Sequence, residues 1–309
     1  MDEKIMQFAN FNITFGDNNA PMLDHFEDII FPAFTGDYFR GKKGELPRYS
    51  FDNVAIRDID GEYVLVGNYV KDMEYKVITT FQEGMLVDSP AEVPTAPYSR
   101  FIIFLKNHRM ILVRNENESP DIRSFQKTVH EILNQFIREK NREREKDKKL
   151  PVAIVHIVDI PMKEKIEEVL STASKINWLK LRFFPLNNDL DPIPLGQAVK
   201  DDMQKMGSKT GNIVFNSPSK INGVKEVLEA TRGMSTFTMQ VTDSDGGKRK
   251  LKQESFSTST KIQYNGNVNP NGDMYLIDQA KKNEVINKTS EDNANLYERM
   301  KAVIRRLMS

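Results

Sequence analysis

Few residues in this sequence have the types and spacing to do chemistry, and each set meets an ordinary explanation. Gly207-Ser208-Lys209-Thr210-Gly211 has the composition of a phosphate-binding loop. Such a loop runs Gly, four residues, then Gly-Lys-Ser/Thr. Here Ser208 separates Gly207 from Lys209, and Asp201 and Asp202 stand upstream where backbone amides should meet phosphate. A turn before a strand accounts for the segment. Asp24-His25-Phe26-Glu27-Asp28 concentrates metal-ligating types, and a helix would put Asp24 and Asp28 on one face. A cation would still need ligands from elsewhere and partners to orient them, so a polar helix face beside a buried Phe26 is the default.

The four histidines, His25, His108, His130 and His156, show no HxH or HExxH spacing. His108 reads as a hairpin-loop residue and His130 as a helix residue. His156 sits in an apolar run, where a neutral imidazole satisfied by one hydrogen bond is usual. Restriction-type nucleases set an acid on one strand and Glu-x-Lys on the next. Asp147-Lys148-Lys149 has similar spacing, but within a charged linker. Asp58, Asp60 and Glu62 gather around Asp60-Gly61, which hairpin-turn chemistry already explains. No catalytic residue, metal ligand or cofactor is assigned from the sequence.

The more suggestive feature is distributed. Lys248, Arg249, Lys250 and Lys252 form one basic cluster, Arg305 and Arg306 a second, and the run Arg138 to Lys149, with Arg142 and Arg144, a third. On a common face they would neutralise phosphates, each steepening the salt dependence of binding by about 0.9. The acids interleaved in the third run suit a solvated helix end equally well. Phe237 and Phe256 flank the first cluster, although core packing is their ordinary role.

Composition narrows the field. Zero cysteines exclude disulfides, thiolate metal sites and cysteine nucleophiles. Forty-four basic and 44 acidic residues leave no global field, so nucleic-acid binding must come from local patches. No run approaches the ~18 uncharged apolar residues of a membrane span. Met1-Asp2-Glu3-Lys4 lacks the plan of a secretory signal, so a cytoplasmic protein is expected.

A chain of 309 residues, 39% apolar and 28% charged, suits two domains. In the first, residues 1–137, Gln7 to Phe15 alternates as a half-buried strand, with Asn10, Asn12 and Thr14 on its polar side. Pro21 starts a helix that stops near Pro32. Strand-like runs follow at 54–59 and 63–70, and Tyr75, Val77 and Phe81 mark a third. Phe101 to Leu105 and Met110 to Val113 form a hairpin. Ser119 and Pro120 then open a helix whose stripe is Ile122, Phe125, Val129, Ile132, Leu133 and Phe136. The result is an antiparallel meander with two helices. Residues 138–150 read as a charged linker or helix extension.

Residues 151–309 alternate strands and helices, including a Ser219-capped helix, and predict an α/β unit, ferredoxin-like or split βαβ, with a C-terminal amphipathic helix from Thr289 or Ser290. The fold class expected is α+β. By elimination, and on no specific residues, the chain resembles accessory proteins of prokaryotes or their phages, antiviral-defence components among them. The leading expectation is a non-enzymatic binding protein that takes nucleic acid on the basic face of its second domain. A protein-protein or self-assembling subunit, docking through Leu296 to Leu307 or the loop near Lys42, is the alternative. A metal-dependent hydrolase or nuclease assembled only by the fold is third.

Overall fold

The computed structural model describes residues 2–186, 194–231, 235–257, 259–266 and 269–308. The strands and helices, in chain order, are β1 (Asp2–Phe15), β2 (Ala20–Pro21), α1 (Phe31–Thr35), β3 (Phe39–Arg40), β4 (Arg48–Ile59), β5 (Glu62–Gln82), β6 (Met85–Thr95), β7 (Tyr98–Phe104), β8 (Arg109–Arg114), α2 (Ile122–Arg142) and β9 (Ala153–Asp159). Then follow α3 (Lys163–Ser171), β10 (Ala173–Phe183), α4 (Pro194–Met206), β11 (Gly211–Asn216), α5 (Ile221–Ala230), β12 (Ser235–Asp243), β13 (Lys248–Lys252), β14 (Ser259–Tyr264), α6 (Pro270–Lys281), α7 (Glu284–Asn287) and α8 (Glu291–Arg306).

β1 is the organising strand. Its residues Ile5 to Asn10 pair with β8 on one edge, while its other edge is shared end to end, Asp2 to Gln7 with β14 and Ala9 to Phe15 with β9. The meander β8, β7, β5, β4 and β3 extends the sheet outward. Both faces are covered. Ala9, Phe11, Ile13 and Phe15 enter a core with α1, α2 and α8, and Met6 and Phe8 enter a second core with α6 and α7. Into that second face is set a buried ion pair: Arg100 of β7 donates from Nε and Nη2 to the two carboxylate oxygens of Asp273 in α6, at 2.9 and 2.8 Å, and from Nη1 to Asn68 at 3.0 Å.

A second, four-stranded sheet in the order β11, β10, β12, β13 leaves from the β9 and β14 edge and returns to it, the two crossings meeting in a bridge between Pro161 and Ser257. Its core draws on residues 166–256. Of residues 151–309, only β10 to β13 build this sheet; β9, β14 and α6 to α8 belong to the large sheet and its covering layers.

Every pairing between described strands is antiparallel, and in the small sheet β11 and β12, joined by α5, run parallel to each other on either side of β10. Several other expectations need correction. The runs expected at 63–70 and 75–81 are one strand, β5, which leaves the sheet and folds back through Glu83 and Gly84, at φ 49° and 83°, into β6. Asn10, Asn12 and Thr14 are fully buried rather than solvent-facing, and the segment after β10 meets Asn12, whose Nδ2 donates to the Pro185 carbonyl at 2.7 Å. Helix α2 is capped by Asp121, whose side chain accepts from the Ser124 amide at 2.8 Å. Ser119 instead accepts from the Glu116 amide in the preceding turn. Helix α5 is preceded by Lys220 with no side-chain cap. The charged run closes into a loop pinned at both ends, Asn141 Oδ1 accepting from the Leu150 amide at 2.7 Å and its Nδ2 donating to the Leu150 carbonyl at 2.9 Å. No described helix is long and apolar enough to cross a membrane.

Candidate functional site

Strand alternation decides what each face of the small sheet carries. In β10, Ile176, Leu179, Leu181 and Phe183 point into the core beneath the helices. The opposite phase presents Lys175, Trp178, Lys180 and Arg182 to the open face. β12 contributes Thr236, Thr238, Gln240 and Thr242 beside them, and β13 contributes Lys248, Lys250 and Lys252 beyond. Cross-strand register sets these in rows: Lys175, Thr242 and Lys248; Trp178, Gln240 and Lys250; Lys180, Thr238 and Lys252; then Arg182 and Thr236. On the other side of β10, β11 adds Asn212, Val214 and Asn216.

This face has six cations and, among the described residues of its strands, no carboxylate. The two cation rows are separated by β12, so they lie two strand spacings, about 10 Å, apart. The neutral Thr and Gln row keeps like charges from standing directly opposite, which would be destabilising. None of the six forms an ion pair among the described residues. The nearest acid on these strands, Asp243, is paired with Ala173 in the inward phase. There it binds Arg249, whose Nη2 donates to Asp243 Oδ1 at 2.5 Å and to Thr172 Oγ1 at 2.9 Å. The Arg249 guanidinium holds the Asp243 carboxyl below the ordinary carboxylate range.

The sequence-predicted cations therefore separate. Lys248, Lys250 and Lys252 stand together on the open face, while Arg249 is turned to the other side and neutralised. Arg142 and Arg144 lie at and just beyond the end of α2, exposed, with Arg144 Nη1 donating to the Lys148 carbonyl at 3.3 Å. Arg305 and Arg306 end α8 over the large sheet's helical layer, and Arg306 Nη2 donates to both Glu27 carboxylate oxygens at 2.7 and 2.9 Å. Lys175, Trp178, Lys180 and Arg182 were missed. Their signal was present as the polar phase of a strand whose apolar phase is obvious, but only register joins that phase to β13.

Other candidates stay ordinary. Gly207 to Lys209 border a cleft of about 570 Å³ with Asp17, Asp24 and Lys200, yet the Gly207 and Ser208 amides already donate to the Gln204 and Met203 carbonyls. A strand-borne Glu-x-Lys does occur, Glu74-Tyr75-Lys76 on β5, but Lys76 pairs with Glu92 at 3.3 Å. No group of three metal-ligating side chains occurs among the described residues. His25 Nδ1 lies 3.2 Å from Asp28, and Asp58 Oδ1 accepts from the Gly61 amide at 2.9 Å, closing its turn. His108 lies in the loop between β7 and β8, fully buried, at φ 55°. His156 stacks on Phe184, ring centroids 4.3 Å apart, and burial, seconded by the Arg182 charge, pushes its pKa down to about 4. Comparison with protein-family models, with curated proteins and with solved structures finds no match in any of the three.

Proposed function

We propose that this protein binds nucleic acid on the open face of its four-stranded sheet, without catalysing a reaction there. The observation that carries the reading is the face itself: six cations with no carboxylate among the described residues of its strands, around a row of hydroxyl and amide side chains. Phosphates supply affinity to such a surface, and the Thr and Gln row can exchange hydrogen bonds with base edges. A lipid surface would leave that polar row unused. Reversing two charges, Lys180→Glu with Lys250→Glu, is expected to lower affinity for a labelled oligonucleotide at least tenfold in fluorescence anisotropy at about 0.1 M salt, with the circular dichroism spectrum unchanged. Equal binding by the folded variant would remove the reading.

A second reading, a self-associating subunit, gains support from one element. The β5 and β6 arm beyond the sheet exposes Ile78 and Phe81 at 71%, Met85 at 67% and Leu86 at 75%. Large apolar side chains clustered in water mark contact surfaces. The terminal helix expected to dock is instead filled internally, with Leu296, Tyr297 and Ile304 buried and the Tyr297 hydroxyl accepting from the Tyr63 amide at 2.7 Å. Light scattering decides this reading: a mass above one chain that falls to one chain in Phe81→Ser with Leu86→Ser supports it, and a monomeric native protein dismisses it.

A further inference from the structure

We infer that the open face takes a single strand rather than a duplex, with a base stacked on Trp178. This rests on the nucleic-acid reading and narrows it to one class of strand. Trp178 is the only tryptophan in the chain and is partly exposed on the second strand of the sheet, between Gln240 and Asn216. It is aimed there by a bulge. Ile176 points inward, so regular alternation would send Trp178 inward too; the extra residue Asn177 reverses the phase.

The bulge is held from both sides. Asn177 Nδ2 donates to Thr242 Oγ1 at 2.9 Å, and its carbonyl accepts from the Ser217 amide at 2.8 Å. The indole has no hydrogen-bonding or stacking partner among the described residues. A large aromatic placed among cations by a locally fixed irregularity is what a single-strand platform needs, since every base has a face to stack and the backbone can follow the charges.

Width argues against a duplex. Four strands about 4.8 Å apart span roughly 14 Å before side chains are added, more than the ~12 Å major groove, which admits a helix or two-stranded ribbon. A duplex could then reach this face only through phosphates, leaving Trp178 and the Thr and Gln row without contacts. A single strand can place bases over β12 and Trp178 and phosphates along the cation rows.

The sole tryptophan makes the test direct. The full chain is titrated with oligo(dT), oligo(rU) and a blunt duplex of equal length, following tryptophan emission and, separately, anisotropy of end-labelled strands. Expected are quenched emission with the single strands, weaker duplex binding, a loss of roughly 5- to 150-fold in Trp178→Ala, and retention within a few fold in Trp178→Phe. Lys180- and Lys250-dependent binding that leaves native emission unchanged, or that favours duplex, would overturn the stacking proposal while leaving the basic-face reading intact. Absence of binding to all three probes would overturn both. The native emission needs no variant, so the test stands even if Trp178→Ala fails to fold.

Discussion

At the scale of the residue, two buried groups report on how the chain tolerates charge and titration in its interior. Asp273 and Arg100 are almost wholly withdrawn from water, and each satisfies the other. Removing one partner leaves an uncompensated buried charge, so Asp273→Ala is expected to cost about 3 to 5 kcal/mol, read as a lowered denaturation midpoint. His156 behaves oppositely, because burial favours its neutral form. Its pKa falls from 6.5 in the unfolded chain to about 4 when folded. Stability is therefore complete above pH 6.5, declines as the unfolded state takes up the proton between 6.5 and 4, and levels off below. At 1.36 kcal/mol per unit the whole step is up to roughly 3 kcal/mol. Urea denaturation across that range should show the decline in the native protein and a shallower one in His156→Gln. Parallel curves would show that His156 does not set the step.

At the scale of the element, local patterns were readable wherever one periodicity and one terminating signal coincided. The β7 and β8 hairpin, the stripe of α2, the turn from Asp243 to Gly247 and the Ser290 cap of α8 all emerge from neighbours in the chain. What escaped depended on partners far away. Asn12 looks like part of a wet face because nothing nearby in the chain predicts that Pro185 will meet it. The bulge at Asn177 exists only relative to β12, so no count along β10 alone would have shown where Trp178 points. The arm was missed because Glu83-Gly84 lies between runs of mixed polarity. A two-stranded ribbon without a third strand is marginal in water. Its amides, from about Lys76 to Ala91, are thus expected to exchange hydrogen fastest among the strands. Joining Tyr75 to Glu92 by a short Gly-containing turn should leave the denaturation midpoint within about 0.5 kcal/mol of native. A larger loss would mean that the arm supports the sheet it leaves.

At the scale of the molecule, one sheet is buried on both faces and the other on only one. The large sheet spends both surfaces on cores, leaving its recognition potential to edges and the arm. The small sheet is different: α3, α4 and α5 cover one side, and on the other Lys175, Lys180, Arg182 and the β13 lysines are exposed. A neutral chain with 44 residues of each sign still concentrates there six cations that are unpaired among the described residues, because strand alternation sends Lys175, Lys180, Arg182 and the three β13 lysines to one side and Asp243 with Arg249 to the other. The cations of α2 and α8 are not needed for this surface. That reduces the basic region foreseen from sequence to its β13 portion and extends it across β12 to β10.

The most direct test of the account is the salt dependence of oligonucleotide binding by the native chain and by Lys248→Gln, Lys250→Gln, Lys180→Gln and Arg306→Gln. For a single strand the slope of log affinity against log salt should change by about 0.7 for each phosphate contact removed. The account predicts a shallower slope for each of the first three substitutions and an unchanged slope for Arg306→Gln, whose charge is held by Glu27 on another part of the molecule. Slopes that ignore Lys180, Lys248 and Lys250, or that respond to Arg306 instead, would contradict it.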